Sequence, residues 1–258
     1  MTERARALRK TILRMAHAGR DANLQSVFSS VEILRVLYDR ILRFSPEAPA
    51  DRDRFVLSKG QSTMGLLAIL AEKGFIPEEE LWTACGYDSR ISMQADRTKL
   101  PFVEISAGSL GHGFPMAAGM ALGNRIAGRP GRVFVLAGDG EMNEGTMWET
   151  ALFAGSEALQ RLTLIVDDNG SINEMLRMGD LEEKLSAFGF EAETVNGHDE
   201  DALYAAISRV GSAGPRAVIA KTVRGYGCRT LVEDRSWFHR APTDEELTAL
   251  LEEVDAYE

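Results

Sequence analysis

Short apolar runs typical of buried strands alternate with segments of helical periodicity along this sequence. The strand-like runs occupy 54–58, 132–137, 162–168, 191–195 and 216–223. Helical spacing of apolar residues occurs at 4–19, 29–42, 62–74, 77–85, 111–128, 146–160, 181–189 and 200–211. Strands that alternate with helices form a mostly parallel sheet covered by helices on both faces. The sequence therefore predicts an α/β fold.

The 258 residues are enough to bury a substantial core without disulfides. We expect a single domain over 1–258, in which 221–258 is a C-terminal extension that ends in a helix. The segment at 29–42 is predicted to begin with Ser29 or Ser30 as its N-cap. Residues 86–104 show no regular period, and an irregular stretch of that length in a compact domain is often functional.

Charge and cysteine content exclude several classes of protein. The net charge is −10 with no basic tract, which argues against nucleic acid as a partner. No run approaches the roughly 20 apolar residues that span a bilayer, and the first thirty residues lack the apolar core of a signal peptide. Cys85 and Cys228 cannot form a disulfide framework, so a reducing, cytoplasmic location is expected.

Polar residues and glycines terminate two successive predicted strands. Gly138-Asp139-Gly140 follows one strand, and Asp168-Asn169-Gly170 ends the next. The carboxyl ends of parallel strands meet at one edge of a sheet, where ligands bind. Carboxylate and carbonyl oxygens suit Mg²⁺ or Ca²⁺, and glycines let the main chain approach phosphate oxygens. With the helix N-terminus after Gly145, this pattern predicts a diphosphate held by a metal ion.

Other nucleotide-binding motifs have little support here. No GxGxxG follows a predicted strand and no GxxxxGK[ST] occurs, which disfavours dinucleotide-binding Rossmann and P-loop sites. Gly-Asp-Gly alone is also a common turn. The presence of Asn169 at the next strand end makes the ligand site the better interpretation.

These motifs resemble a known family. Gly138-Asp139-Gly140, followed after 28 residues by Asn169, is similar to the thiamine diphosphate signature. The motifs "ADRDRFVLSKG" (50–60), "VEISAGSLGHGFPMAAGMALG" (103–123), "GDGEMNEG", "DDNGS" and "WFHRAPTDEEL" (237–247) stand in transketolase order. The resemblance covers about residues 5–255 but only the first third of an undivided transketolase. It implies the N-terminal subunit of a split, two-chain enzyme.

The resemblance assigns roles to individual residues. It implies that Asp139, the Asn169 side chain and the Ser171 carbonyl hold Mg²⁺, or Ca²⁺ in its place, with Gly140 against the diphosphate. The further cofactor contacts that it implies are Gln61, Gly108, Ser109, Leu110 and His112. Of these, His112 is expected to start a helix near the cofactor rather than to carry a proton.

Two residues are predicted to be catalytic by the same resemblance. Glu144 matches a glutamate at the contact between subunits, and His239 matches a histidine near the cofactor and the donor substrate. Each has an alternative interpretation. Glu144 and Glu141 suit a solvated first helical turn, where acidic residues favour the helix dipole. His239 suits a packed surface position beside Trp237 and Phe238.

The implied reaction is the transfer of a two-carbon ketol unit from a ketose to an aldehyde. The family's activating glutamate belongs to the next domain, which lies outside this sequence. The resemblance therefore implies a partner, the C-terminal transketolase subunit that carries the aminopyrimidine-binding domain. We expect a heterotetramer with two copies of each chain, acting on a small-molecule sugar substrate.

Three positions depart from the family pattern. Asn23, Gln61 and Gln94 stand where family members usually carry histidine. A carboxamide keeps hydrogen-bonding capacity but does not exchange protons near neutral pH as histidine does. With the metal motif intact, we interpret these amides, Asn23 and Gln94 above all, as signs of an unusual substrate. The open alternatives are the α-subunit of a 2-oxo acid decarboxylase or dehydrogenase, and a non-catalytic cofactor-binding subunit.

Overall fold

A computed structural model of the protein describes residues 1–44, 49–106, 108–172, 176 and 178–257. Within these ranges, five strands form one sheet in which every neighbouring pair is parallel. The strands are β1 (Arg54–Leu57), β2 (Val133–Gly138), β3 (Leu162–Asp168), β4 (Glu191–Asn196) and β5 (Arg216–Lys221). Their order across the sheet is β1-β2-β3-β5-β4. The predicted parallel α/β sheet is confirmed.

Eleven α-helices are assigned in the described residues. They are α1 (Glu3–Gly19), α2 (Leu24–Ser29), α3 (Val31–Val36), α4 (Thr63–Glu72), α5 (Glu78–Leu81), α6 (Gly113–Ile126), α7 (Gly145–Ser156), α8 (Leu181–Ala187), α9 (Glu200–Ile207), α10 (Arg229–Glu233) and α11 (Asp244–Ala256). Between α5 and α6, the described residues form neither helix nor strand, in agreement with the irregular stretch predicted at 86–104. Among the helices described, none has the length and apolar character needed to span a bilayer.

Both faces of the sheet are covered, because successive side chains of a strand point to opposite sides. On β2, Phe134 and Leu136 join a buried cluster with residues of α1, α3, α4, α9 and α11. The neighbouring Val133, Val135 and Ala137 join a second cluster with residues of α6, α7 and α8. All five of these side chains are fully buried. This burial on both faces explains why the strands form continuous apolar runs in the sequence.

The helix predicted at 29–42 differs in its start. The helical segment begins earlier in the structure, with α2 at Leu24. It breaks at Ser30 and continues as α3 into a π-helical turn at Leu37–Ile41. Ser30 makes no side-chain cap; its hydroxyl lies 2.9 Å from the Val27 carbonyl oxygen and 2.9 Å from Ser62 Oγ. A serine hydroxyl that bonds to the preceding turn leaves no cap for the next helix. Ser30 thus occupies the predicted N-cap position, at the start of α3, but does not cap that helix through its side chain.

The residues after β5 return across the molecule. Thr243 is the N-cap of helix α11, and its side chain forms a capping box with Glu246. Leu250 and Val254 pack α11 into the core beside α1, and Lys10 pairs with Asp255 at 2.8 Å. The segment between β5 and α11 consequently crosses the carboxyl edge of the sheet, where three of its side chains line a cavity.

Candidate functional site

A cavity of about 390 Å³ lies at the carboxyl ends of β2 and β3. The predicted site residues that line it are Asn23, Gln61, Leu110, Asp139, Gly140, Asn169 and Ser171. The other lining residues are Ser26, Lys59, Gly138, Glu141, Arg224, Arg235 and Phe238. Of these, the sequence analysis had singled out Gly138 in the strand-end motif and Glu141 as part of a solvated turn. The crevice at the carboxyl edge of a parallel sheet is the usual ligand site of such folds. The structure thus brings the two predicted strand-end motifs together.

Asp139 has one satisfied and one unsatisfied carboxylate oxygen. Its Oδ1 accepts hydrogen bonds from the Gly140 amide at 2.9 Å and from Ser171 Oγ at 2.7 Å. Its Oδ2 is buried and has no partner, although the residue is only 3% exposed. A buried carboxylate oxygen without a hydrogen bond is costly and uncommon, so this atom is suited to contact a bound cation or donor.

Asn169 completes this corner of the cavity from the end of β3. Its Oδ1 accepts from the Ser171 amide at 3.0 Å, and its Nδ2 donates to Ser29 Oγ at 3.2 Å. Ser171 therefore contacts both Asp139 and Asn169, and the three predicted metal-site residues lie together. Because all three offer oxygen, the set suits a hard cation such as Mg²⁺ or Ca²⁺.

The surroundings of that corner leave room for a phosphate-bearing ligand. A Cβ added to Gly140 would meet no atom within 4 Å, so its main chain faces open space. In the part of the chain that the structure describes, no group of three or more His, Cys, Asp or Glu side chains is arranged to hold a metal ion. A cation held here would have one carboxylate and would draw further oxygens from its ligand, which is the pattern of Mg²⁺ bound with phosphates.

Other lining residues also carry unsatisfied polar atoms. Asn23 is 1% exposed, and neither its Oδ1 nor its Nδ2 has a partner. The Arg224 Nε is buried and unpartnered as well. Native proteins leave few such atoms, and here they share one cavity with Asp139 Oδ2. Such atoms also occur elsewhere in the described chain, as at Arg35 Nε and Arg216 Nε, but the four at the cavity suit a polar occupant.

A buried ion pair supports the cavity wall. Lys59 Nζ lies 2.5 Å from Asp167 Oδ2 and also donates to the Ser26 carbonyl at 2.8 Å and to Ser29 Oγ at 3.2 Å. Asp167 is fully buried and accepts a further bond from Ser29 Oγ at 2.7 Å. The charge of Lys59 is thus neutralised within the protein, and its role is to hold the end of β3 against α2.

Glu141 contradicts the solvated first turn that its position suggested. It is 1% exposed, and its Oε1 accepts from Ser58 Oγ at 2.7 Å and from the Gly111 amide at 2.9 Å, while Oε2 accepts from the Gly138 amide at 3.1 Å. Burial raises the pKa of Glu141, and these hydrogen bonds offset only part of the rise. This carboxylate ties the ends of β1 and β2 to the loop before α6. Glu144, in contrast, is exposed at the start of α7.

The remaining predicted contacts lie outside the cavity lining. Gly108 and Ser109 are exposed, and His112 is exposed at the start of α6 without a side-chain cap. Gln94 is exposed beside Gly60, where an added Cβ would overlap its Oε1, and it also lies close to Gly108. Gln94 and the loop before α6 are therefore neighbours.

The structure does not bring His239 into the cavity. Its ring is exposed, packs edge-on against Phe238 at 4.5 Å, and lines a separate open cleft with His17 and Arg20. The buried Trp237 anchors this turn, and Phe238 is the residue that reaches the cavity. This arrangement agrees with the alternative interpretation of His239 as a packed surface residue.

Comparison with known proteins defines the class of this domain. Residues 1–256 match the family model described as the transketolase thiamine diphosphate-binding domain. The chain belongs to the transketolase family.

Three relatives illustrate the range of the family. The chain is 43% identical over 210 residues to a Rhodococcoides fascians protein named ferredoxin fas2, covering 80% of this chain and 68% of the relative. It is 34% identical to an apulose-4-phosphate transketolase subunit of Actinobacillus succinogenes, and the match covers 98% of this chain and 95% of the relative. It is 35% identical to the 6-deoxy-6-sulfo-D-fructose transketolase subunit SqwG of a Clostridium species, and the match covers 77% of this chain and 76% of the relative.

A solved structure gives the same fold. Transketolase from Leishmania mexicana superposes with a TM-score of 0.88 at 22% identity over 97% of this chain, which spans 40% of that protein. Together the comparisons confirm the predicted fold and the transketolase-type transferase assignment. They favour it over the 2-oxo acid decarboxylase or dehydrogenase alternative.

Proposed function

We propose that this protein is the cofactor-binding subunit of a two-chain transketolase that moves a ketol unit between sugars. The observation that carries the proposal is the buried, unpartnered Asp139 Oδ2, next to Asn169 and Ser171 in a cavity open to a ligand. These residues would hold Mg²⁺ or Ca²⁺, and Gly140 would let the main chain approach the diphosphate. When bound, thiamine diphosphate supplies the carbanion stabilisation that carbon–carbon bond transfer requires.

The protein's own groups position and select the ligands. Leu110 gives the cavity an exposed apolar side chain, 37% accessible, which suits contact with a flat ring. Asn23 and Gln61 offer neutral donors and acceptors in the same cavity. We propose that Glu144, which is exposed outside the cavity, lies at the contact with the partner. The role of His239 near the cofactor and the donor substrate stays a prediction, because its exposed ring lines a separate cleft.

Cofactor binding is expected to depend on a divalent cation. Titration calorimetry of thiamine diphosphate into the full chain should show binding with Mg²⁺ or Ca²⁺, and binding should disappear with excess EDTA, because the diphosphate would lose its bridge to Asp139. Thiamine without phosphate is the matched control ligand and should bind weakly under both conditions. Equal affinity with and without the cation would contradict the metal assignment.

The proposed partner is a C-terminal transketolase subunit in a heterotetramer. Relatives similar over nearly their whole length are named as one lettered subunit of a transketolase, which supports a second chain. At the cavity, Leu110 and Phe238 are 37% and 53% exposed, and exposed apolar side chains beside a ligand site suit a protein contact. Cys85 and Cys228 are free thiols, which suits the predicted cytoplasmic compartment.

The proposed substrate is an unusual, modified ketose. Two of the relatives named above act, by their names, on apulose 4-phosphate and on a deoxysulfo-sugar. Asn23 and Gln61 line the cavity and Gln94 lies beside Gly60, so all three amides stand in or near it. A pocket of amides in place of histidines has fewer potential positive charges and reads hydroxyl groups through neutral hydrogen bonds.

Restoring histidine at positions 23, 61 and 94 together is expected to shift preference towards ordinary ketose phosphates. A mismatched donor hydroxyl leaves a buried polar group unsatisfied at about 1–3 kcal/mol, which is roughly ten- to a hundredfold in rate. The measurement is kcat/KM of the reconstituted pair on xylulose 5-phosphate with ribose 5-phosphate. Gln160→His, at an exposed site before β3, is the control. A wild-type value of about 10⁴ M⁻¹s⁻¹ or more would show that the amides do not exclude ordinary substrates.

A further inference from the structure

We propose that Glu141 and Thr146 are positioning residues, which fix the turn at 109–112 so that Leu110 is held at a set distance from the proposed metal site. The inference deepens the proposed function and rests on it in one respect, because it takes Leu110 as the contact for the ring of the cofactor. Neither residue is assigned a contact with reacting atoms. Both act through the backbone of Gly111.

Leu110 is presented to the cavity by a tight turn. The His112 amide donates to the Ser109 carbonyl oxygen at 3.4 Å, so Leu110 and Gly111 are the two central residues of the turn. Gly111 has a φ of 77°, a conformation that one class of β-turn requires at its third residue and that glycine adopts readily. Leu110 is 37% exposed and lines the cavity. The direction of its side chain therefore depends on how the peptide groups around Gly111 are held.

Both peptide groups of Gly111 are bonded to the segment that follows β2. The Gly111 amide, which belongs to the peptide bond with Leu110, donates to Glu141 Oε1 at 2.9 Å. The Gly111 carbonyl oxygen accepts from Thr146 Oγ1 at 3.0 Å. A Cβ added to Gly111 would lie 2.5 Å from Thr146 Oγ1 and 2.7 Å from Glu144 Cβ, so the turn packs directly on this segment. The turn is thus fixed from both sides of one residue.

Three hydrogen-bond donors converge on the buried Glu141 carboxylate. Besides the Gly111 amide, it accepts from Ser58 Oγ at 2.7 Å and from the Gly138 amide at 3.1 Å. Ser58 follows β1 and Gly138 ends β2, so this side chain joins two strand ends to the turn. The two amides lie at different carboxylate oxygens, and both oxygens therefore have to accept. A carboxamide in this place would leave one buried N–H group facing another.

The same stretch of chain carries the proposed metal ligand. Asp139 begins the 3₁₀ turn Asp139–Asn143, Glu141 lies within it, and Thr146 is the second residue of α7. A ligand that carries both a diphosphate and a ring has to meet Asp139 and Leu110 at once. Because residues 139–146 hold both contacts, they set the distance between them. Contacts that are fixed before binding reduce the ordering cost of the ligand site.

The experiment compares two ligands that share the anionic part. In the presence of Mg²⁺, calorimetry titrates thiamine diphosphate into the full-length chain in one arm and inorganic diphosphate in the other. Thr146→Val removes the hydroxyl and keeps the shape of the side chain. It should weaken thiamine diphosphate binding by about three- to tenfold and leave the affinity for inorganic diphosphate unchanged. Thr146→Ser keeps the hydroxyl and should restore the wild-type affinity.

Glu141→Gln tests the other bond to the turn. It should weaken thiamine diphosphate binding by about tenfold. Inorganic diphosphate should lose less, because the Asp139 carboxylate is held by Gly140 and Ser171 rather than by Glu141. Thr150→Val is the matched control for the threonine variant, since the Thr150 hydroxyl donates to the Thr146 carbonyl oxygen within α7 at 2.7 Å. This control should leave both arms unchanged.

Amide hydrogen exchange gives a readout that does not need the cofactor. The Gly111 amide is buried and hydrogen-bonded, so it should exchange slowly in the wild-type chain. In Glu141→Gln, exchange at 109–112 should become about tenfold faster, while exchange in β3 stays as in the wild type. Thr146→Val should increase exchange in the same turn.

The outcomes distinguish this inference from the proposed function. Equal losses in the two arms would overturn the positioning role, because a general defect of the cavity weakens both ligands alike. Unchanged thiamine diphosphate affinity in both Thr146→Val and Glu141→Gln would also overturn it, while the proposed function stands. If the wild-type chain binds no thiamine diphosphate with Mg²⁺, the proposed cofactor role fails. Faster exchange at 109–112 would then still support the positioning of the turn, and unchanged exchange would overturn it.

Discussion

Replacing Asp139 with alanine is expected to abolish Mg²⁺-dependent binding of thiamine diphosphate. Among the described lining residues, two carry a carboxylate, Asp139 and Glu141. The Glu141 oxygens already accept hydrogen bonds from Ser58, Gly111 and Gly138, so Asp139 is the carboxylate that remains for a cation. Without it, two phosphate groups would face an acidic protein with no cation between them. We expect the affinity for the cofactor to fall by about a hundredfold or more, because Asp139 would contact the metal directly. Residues that only support a metal ligand typically change metal affinity or activity by about 10- to 100-fold.

The control for this variant is Asp168→Asn. Asp168 belongs to the end of β3, one residue before Asn169, but its carboxylate pairs with Lys221 and does not line the cavity. Asn169→Ala should weaken binding in the same direction as Asp139→Ala. Calorimetry that shows unchanged cofactor affinity in Asp139→Ala would refute the metal site.

The sequence was sufficient to predict that Asp139 and Asn169 lie together, for a simple physical reason. Asp139 and Asn169 each follow an apolar strand, and the carboxyl ends of parallel strands share one edge of the sheet. Local sequence patterns predict both that these segments are parallel strands and that the two residues lie at the carboxyl ends of those strands. Successive strands are also usually neighbours in a sheet, so the meeting of these two residues follows from strand type and chain order.

Arg224 shows where sequence reasoning stopped. It also follows a predicted strand. Its place in the cavity, however, depends on β5 lying between β3 and β4, and the order of strands in a sheet cannot be inferred from local periodicity. Glu141 was missed because a short 3₁₀ turn, rather than an exposed helical start, folds its side chain inward. The position of His239 depends on a left-handed backbone conformation with φ of 56°, which a non-glycine residue rarely adopts.

The second large effect concerns the partner. Purified alone, the chain is expected to bind Mg²⁺ and thiamine diphosphate but to show no turnover, because the group that activates the cofactor is proposed to come from the C-terminal subunit. A positioned acid–base group contributes about 10²–10⁴-fold to a rate, so its absence should lower activity by at least that range.

Mass measurement of the mixed subunits should give two copies of each chain. A stable species of any other stoichiometry would contradict the heterotetramer.

The most direct test of the whole account is ketol transfer by the reconstituted pair. The assay compares this chain alone, its C-terminal partner alone and the two together, each with and without Mg²⁺ and thiamine diphosphate, on ketose donors that include deoxy- and sulfo-sugars. The account predicts transfer to an aldehyde acceptor only when both chains, the metal and the cofactor are present, and loss of that transfer in Asp139→Ala. Turnover by this chain without a partner, or transfer by the pair that does not depend on thiamine diphosphate, would contradict it.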